Sequence, residues 1–85
     1  MTKKAIKQLI LDSDYKNNRV VISWSWLDKY GVSNNASSKW NYSHNGFWYQ
    51  GGVSANIDIL TLKQLVDLIK TFDDGKTFEL EVRND

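Results

Sequence analysis

Apolar residues recur along this chain in two rhythms, and the switches between them divide it into elements. From Lys3 to Leu11, Ile6, Leu9 and Ile10 fall at helical spacing behind Thr2, a residue suited to cap a helix N-terminus. The charges of this segment oppose the helix dipole. Lys3, Lys4 and Lys7 crowd its positive end and Asp12 and Asp14 its negative end, so packing must hold it. Asp14 to Asn18 reads as a turn. The period then falls to two: Val20, Ile22, Trp24 and Trp26 alternate with Val21, Ser23 and Ser25, which predicts a strand with one buried face over Arg19 to Trp26. Leu27 to Val32 suits a short helical turn ending at Gly31, and Ser33 to Ser38 is a polar loop by composition.

The Asn45-Gly46 pair between two aromatic runs predicts a two-residue hairpin turn, because both residues tolerate positive φ. That turn pairs His44 with Phe47, Ser43 with Trp48, Tyr42 with Tyr49 and Asn41 with Gln50. One face then carries Trp40, Tyr42, His44, Phe47 and Tyr49, and the other Asn41, Ser43, Trp48 and Gln50, with Gly51-Gly52 ending the hairpin. Thr61 and Gln64 form a capping box ahead of the stripe Leu62, Leu65, Val66, Ile69 and Phe72, and Asp73-Asp74-Gly75 stops that helix. Lys63 and Asp67 pair on its wet side. Phe78, Leu80 and Val82 alternate with charged residues in a final strand. The expected core is Ile22, Trp24, Leu62, Leu65, Ile69, Phe72, Phe78, Leu80 and Val82. The expected fold is α+β: one domain over residues 1–85, a small, mainly antiparallel sheet of about four strands with helices packed on one face.

Composition narrows the chemistry. Eighty-five residues hold one core, and 41% hydrophobic with 25% charged residues is ordinary for a globular chain. With no cysteine there are no disulfides, thiolate metal sites or cysteine nucleophiles, and one histidine leaves no zinc set. No apolar run approaches the ~20 residues of a membrane span, and the N-terminus lacks the apolar block of a signal peptide. The expectation is a soluble cytoplasmic protein with no membrane partner. The net charge of +1 is unevenly spread. Residues 1–50 carry seven Lys and Arg against three Asp, and residues 51–85 carry four against seven Asp and Glu.

Catalysis lacks a parts list. His44 has no orienting carboxylate nearby in sequence and reads as an edge-of-sheet imidazole stacking on Phe47. Asp12-Ser13-Asp14 lacks the EF-hand pattern, Glu79 and Glu81 share their face with Arg83 rather than a lysine, and Gly51-Gly52 is no phosphate loop. A non-enzymatic protein with no cofactor is expected. A helix-turn-helix over Trp26 to Trp40 would need a recognition helix of Ser-Asn-Asn-Ala-Ser-Ser-Lys, poor in helix formers and phosphate-binding cations.

The stretch Ile57 to Lys70, followed by Phe78 to Val82, resembles the ending of many small orphan proteins of phages and prophages, in which a capped helix feeds a terminal strand. The cysteine-free, lysine- and asparagine-rich composition is similar to such proteins from low-GC bacteria. Small phage proteins of this size are often inhibitors of host machinery, anti-CRISPR proteins among them. The resemblance covers about a third of the chain, all caps and core positions, and carries over no functional residue. It implies a phage or mobile-element inhibitor acting in the host cytoplasm on a host protein, as a monomer or small homo-oligomer.

The residues themselves point to the outer hairpin face. Both faces cannot be buried in a two-layer domain of this size, so Trp48 should stand outward as an anchor. Asn41, Ser43 and Gln50 would be its hydrogen-bonding neighbours, with Lys39 at the side. The alternative is a small module for single-stranded nucleic acid or a nucleotide, using Arg19, Lys39 and Trp48 for phosphate contact and base stacking.

Overall fold

The structure, a computed structural model, describes residues 1–50 and 59–85. The element order is α1 (Lys3–Asp12), β1 (Val20–Leu27), β2 (Ser33–Ser43), β3 (Gly46–Tyr49), α2 (Leu62–Lys70) and β4 (Glu79–Asn84). The four strands form one antiparallel sheet in the order β3-β2-β1-β4, and the fold is α+β as expected.

Helix α1 forms despite its adverse charges. The Thr2 hydroxyl accepts a hydrogen bond from the Ala5 N–H, and the apolar residues Ile6 and Ile10 are fully buried. Helix α2 has the complete capping box, with Thr61 and Gln64 each accepting the other's backbone N–H, and it buries Leu65, Val66 and Ile69. These two helical stripes meet Val20, Ile22, Trp24, Trp40 and Phe47 on the inner face of the sheet. At the sheet's end, Tyr15 packs on Tyr42 and Phe47, with ring centroids 4.9 and 5.6 Å apart, extending the core over the α1–β1 connection.

Two stretches depart from the sequence reading. Ser33–Ser38 is not a loop but the first half of β2, and Leu27 to Val32 holds no helical turn, so the helix-turn-helix reading falls. The chain reverses at Asp28. Its carboxylate accepts the N–H groups of Tyr30 and Val32, its own N–H bonds the Val32 carbonyl, and Gly31 takes a φ of 77°. The polar residues then suit a strand because of what they face. Register sets Ala36 opposite Trp24 and Asn34 opposite Trp26, so small side chains leave room for two indoles on one face. Among the described residues the Trp24 Nε1 is buried without a hydrogen-bond partner.

The expected core needs adjustment at its margin. Ile22, Trp24, Leu65 and Ile69 are buried, whereas Leu62, Phe78, Leu80 and Val82 are half-buried against the cluster. Helix α2 ends at Lys70 with Thr71 as its cap, so Phe72 leaves the stripe; it is 36% exposed and lies against Trp24 and Trp26. Among the described residues Ile6, Ile10, Val20, Val21, Trp40, Phe47 and Val66 are the other buried apolar side chains. Past α2, Asp73 receives Lys70 and the Met1 amino group, each at 2.9 Å, and these bonds hold its carboxyl well below the usual range. Asp74 accepts the Thr77 hydroxyl and the N–H groups of Lys76, Thr77 and Phe78, which lower its pKa to about 2. Thr77 in turn accepts the Leu27 N–H at 2.8 Å, fastening this loop to the end of β1.

Candidate functional site

Among the described residues the helices cover one face of the sheet and leave the other open, and the site residues expected from sequence lie on that open face. The hairpin between β2 and β3 turns one residue earlier than Asn45-Gly46 predicts. His44 and Asn45, with φ of 52° and 61°, occupy the turn, and Ser43 pairs with Gly46, Tyr42 with Phe47, Asn41 with Trp48 and Trp40 with Tyr49. Gly46 is spent elsewhere. It is buried, and a Cβ there would lie 2.3 Å from the Ile59 Cγ1 and 3.1 Å from the Leu60 carbonyl oxygen. Phe47 exchanges both backbone hydrogen bonds with Leu60, at 2.7 and 2.9 Å. This bridge needs a residue without a side chain next to Phe47, and it fixes the register. The expected end of the hairpin at Gly51-Gly52 lies outside the described residues.

The faces survive the shift. Every partner moves by two residues, one full pleat, so Trp40, Tyr42, Phe47 and Tyr49 stay inward and Trp48 stays outward. Trp48 is 40% exposed, and its indole N–H bonds the Ser43 carbonyl at 3.1 Å, which holds the ring against its own hairpin. Asn41 sits directly across from Trp48, and its amide donates to the Gln50 side chain at 2.7 Å. The Gln50 N–H bonds the Lys39 carbonyl at 2.8 Å. Trp48, Asn41, Ser43, Gln50 and Lys39 thus form one contiguous patch. His44 does not stack on Phe47; from the turn it lies edge-on to Trp48 at 6.4 Å.

Arg19 and Lys39 both reach this patch, and both are paired to Asp85, at 3.3 and 3.4 Å. On β1, between β2 and β4, Val21 faces the open side yet is only 1% exposed, flanked across the strands by Lys39 and Arg83. Sequence reasoning passed over Val21 and Asp85, yet Val21 is the one apolar residue in the outward phase Val21, Ser23, Ser25. Further along the face the side chains become small and polar. Ser23 and Ser25 lie between Ser37 and Asn35 on one side and Glu81 and Glu79 on the other, flooring a shallow depression of about 600 Å³.

No family model, curated protein or solved structure matches this chain. Its site is therefore read from its own geometry.

Among the described residues no three His, Cys, Asp or Glu side chains gather to hold a metal ion. None of the helices described is long and apolar enough to cross a membrane. Among the described residues the carboxyls lowered below their usual range are Asp28, Asp67, Asp73 and Asp74. Backbone N–H groups, a threonine hydroxyl, lysines and the Met1 amino group lower them; Asp28, Asp73 and Asp74 serve turns, Asp67 lies within α2 against Lys3 and Lys63, and none stands on a strand of the open face.

Proposed function

We propose that this chain is a non-enzymatic binding protein whose open sheet face, anchored by Trp48, occupies a functional surface of a protein partner. The observation that carries the reading is the state of Trp48. It is a large aromatic residue left partly in water, held in one orientation by its own N–H, beside an Asn41–Gln50 pair that offers further polar groups. A rigid aromatic anchor ringed by small hydrogen-bonding side chains is the composition of an interface centre. Taken with the resemblance of the closing helix and strand to small phage and prophage proteins, the partner is a host protein, and binding inhibits it in the manner of anti-CRISPR proteins.

The nucleic-acid alternative uses the same Trp48 with Arg19 and Lys39, but those two cations share Asp85, which reduces the positive field a phosphate would meet. Affinity capture from a bacterial lysate, with and without nuclease, tests the choice. A partner retained after nuclease treatment and at raised salt, and lost with Trp48→Ala, supports the protein reading. Capture abolished by nuclease overturns it.

A further inference from the structure

On the helix side of the molecule, away from the open sheet face, α1 and α2 enclose a groove of about 560 Å³. Its floor is apolar, made by Val66, which is 4% exposed, and the half-buried Leu62. Its rim is cationic: Lys3, Lys4 and Lys7 from α1 and Lys63 from α2. Among the described residues the one carboxylate at the rim, Asp67, is already shared between Lys3 at 3.0 Å and Lys63 at 3.6 Å. Lys4 and Lys7 make no ion pair among the described residues.

This arrangement is unfavourable for the isolated chain. No acidic residue occupies the first turn of either helix, and three of the rim lysines repel the positive end of α1, where negative charge would be stabilising. The charges are nevertheless gathered around the apolar floor rather than spread over the surface. An occupant carrying both carboxylates and an apolar side chain would relieve the repulsion and cover Leu62 and Val66 together.

We propose that this groove is a docking site for an acidic amphipathic peptide segment of a protein partner, with carboxylates meeting Lys4, Lys7 and Lys63 and an apolar side chain seated over Leu62 and Val66. The recessed floor argues against an anionic membrane, which is penetrated by protruding apolar side chains and not by a concave pair lying beneath a lysine rim. It argues against nucleic acid as well, since it presents no aromatic ring on which a base could stack. The site shares no residue with the Trp48 face and does not depend on it.

The test uses the full chain and a fluorescent helical peptide bearing leucines along one face and glutamates along the other. Three comparison probes accompany it: the same peptide with lysines for glutamates, a single-stranded oligonucleotide, and phosphatidylserine vesicles. The acidic peptide should bind, and the double variant Lys4→Glu/Lys7→Glu should weaken it by about tenfold or more. The reversal places an acidic residue at position 4, in the first turn of α1 where the dipole favours it, and the other at exposed position 7, so this variant should fold, as circular dichroism will verify. Lys63→Glu, on the other helix, should weaken binding independently, and Trp48→Ala should leave it unchanged. The proposal is overturned if the acidic peptide does not bind, if it binds the lysine variants as well as the wild type, or if the oligonucleotide or the vesicles bind more tightly than the peptide does.

Discussion

Gly46 offers the sharpest test of how the hairpin is built. If its role were that of a turn glycine, Gly46→Ala would be costly because of backbone conformation, whatever surrounds it. In the structure the positive φ values belong to His44 and Asn45, and the penalty at position 46 comes from space. The new Cβ would lie 2.3 and 2.6 Å from the Ile59 Cγ1 and Cδ1. Overpacking of this kind costs about 1–3 kcal/mol, against a total stability of roughly 4–13 kcal/mol for a domain of this length. Ile59→Ala removes both clashing carbons and leaves only the Leu60 carbonyl, at 3.1 Å from the Cβ. Urea unfolding of the wild type, the two single variants and the double variant therefore forms a cycle. Gly46→Ala should shift the midpoint downward by roughly 1 M with the slope unchanged. In the Ile59→Ala background the shift should shrink, with a coupling of about 1 kcal/mol or more. An equal penalty in both backgrounds would falsify the steric account and return Gly46 to the turn.

The turn itself carries a companion prediction. Replacing His44-Asn45 by Asn-Gly should raise stability by roughly 0.5–1 kcal/mol in the same unfolding assay, because both positions are left-handed and the histidine is ill suited to one. Leu65→Ala, at a fully buried position, should cost about 2–5 kcal/mol, while Trp48→Ala, at a half-open one, should cost no more than about 1–2 kcal/mol yet abolish partner capture. Asp74 is depressed to about 2 from 3.8 by the Thr77 hydroxyl and three backbone N–H groups, so its stabilisation is present above pH 4 and lost as the pH falls toward 2. The melting temperature of Asp74→Ala should therefore lie below that of the wild type at neutral pH and converge on it near pH 2. His44→Ala should leave partner binding largely intact, read by the same capture assay.

The parts of the fold legible in sequence were those with local signatures. Thr61 and Gln64 announced α2, and the alternation from Val20 to Trp26 announced β1. The first half of β2 was illegible because Ser33 to Ser38 has no hydrophobic period; its strand character comes from Trp24 and Trp26 across the ladder, which need Ala36 and Asn34 as small neighbours. The burial of Val21 was hidden for a related reason. An outward-phase residue is expected to be wet, and only the pairing of β1 between β2 and β4 sets Lys39 and Arg83 on either side of it. The departure of Phe72 from the core followed from where α2 stops, and helix ends are fixed by caps that hydrophobic spacing alone does not reveal.

The hairpin shows why a face can be legible when the register that produces it is not. Turn preference favours Asn-Gly by a modest margin, and the competing requirement is tertiary: Phe47 must bridge Leu60 while Ile59 crosses its neighbour. Only glycine at 46 satisfies that contact, whereas a left-handed histidine at 44 is tolerable, so the long-range contact prevails over the local one. The displacement it imposes moves each partner by an even number of residues. An odd displacement would have carried Trp48 inward and Tyr42 or Phe47 into water, and the core built from Tyr15, Tyr42 and Phe47 opposes it. The alternatives open to this hairpin are therefore restricted to those that preserve the faces. Trp48 points away from the helices in each of them, whichever residue stands opposite it across the strands.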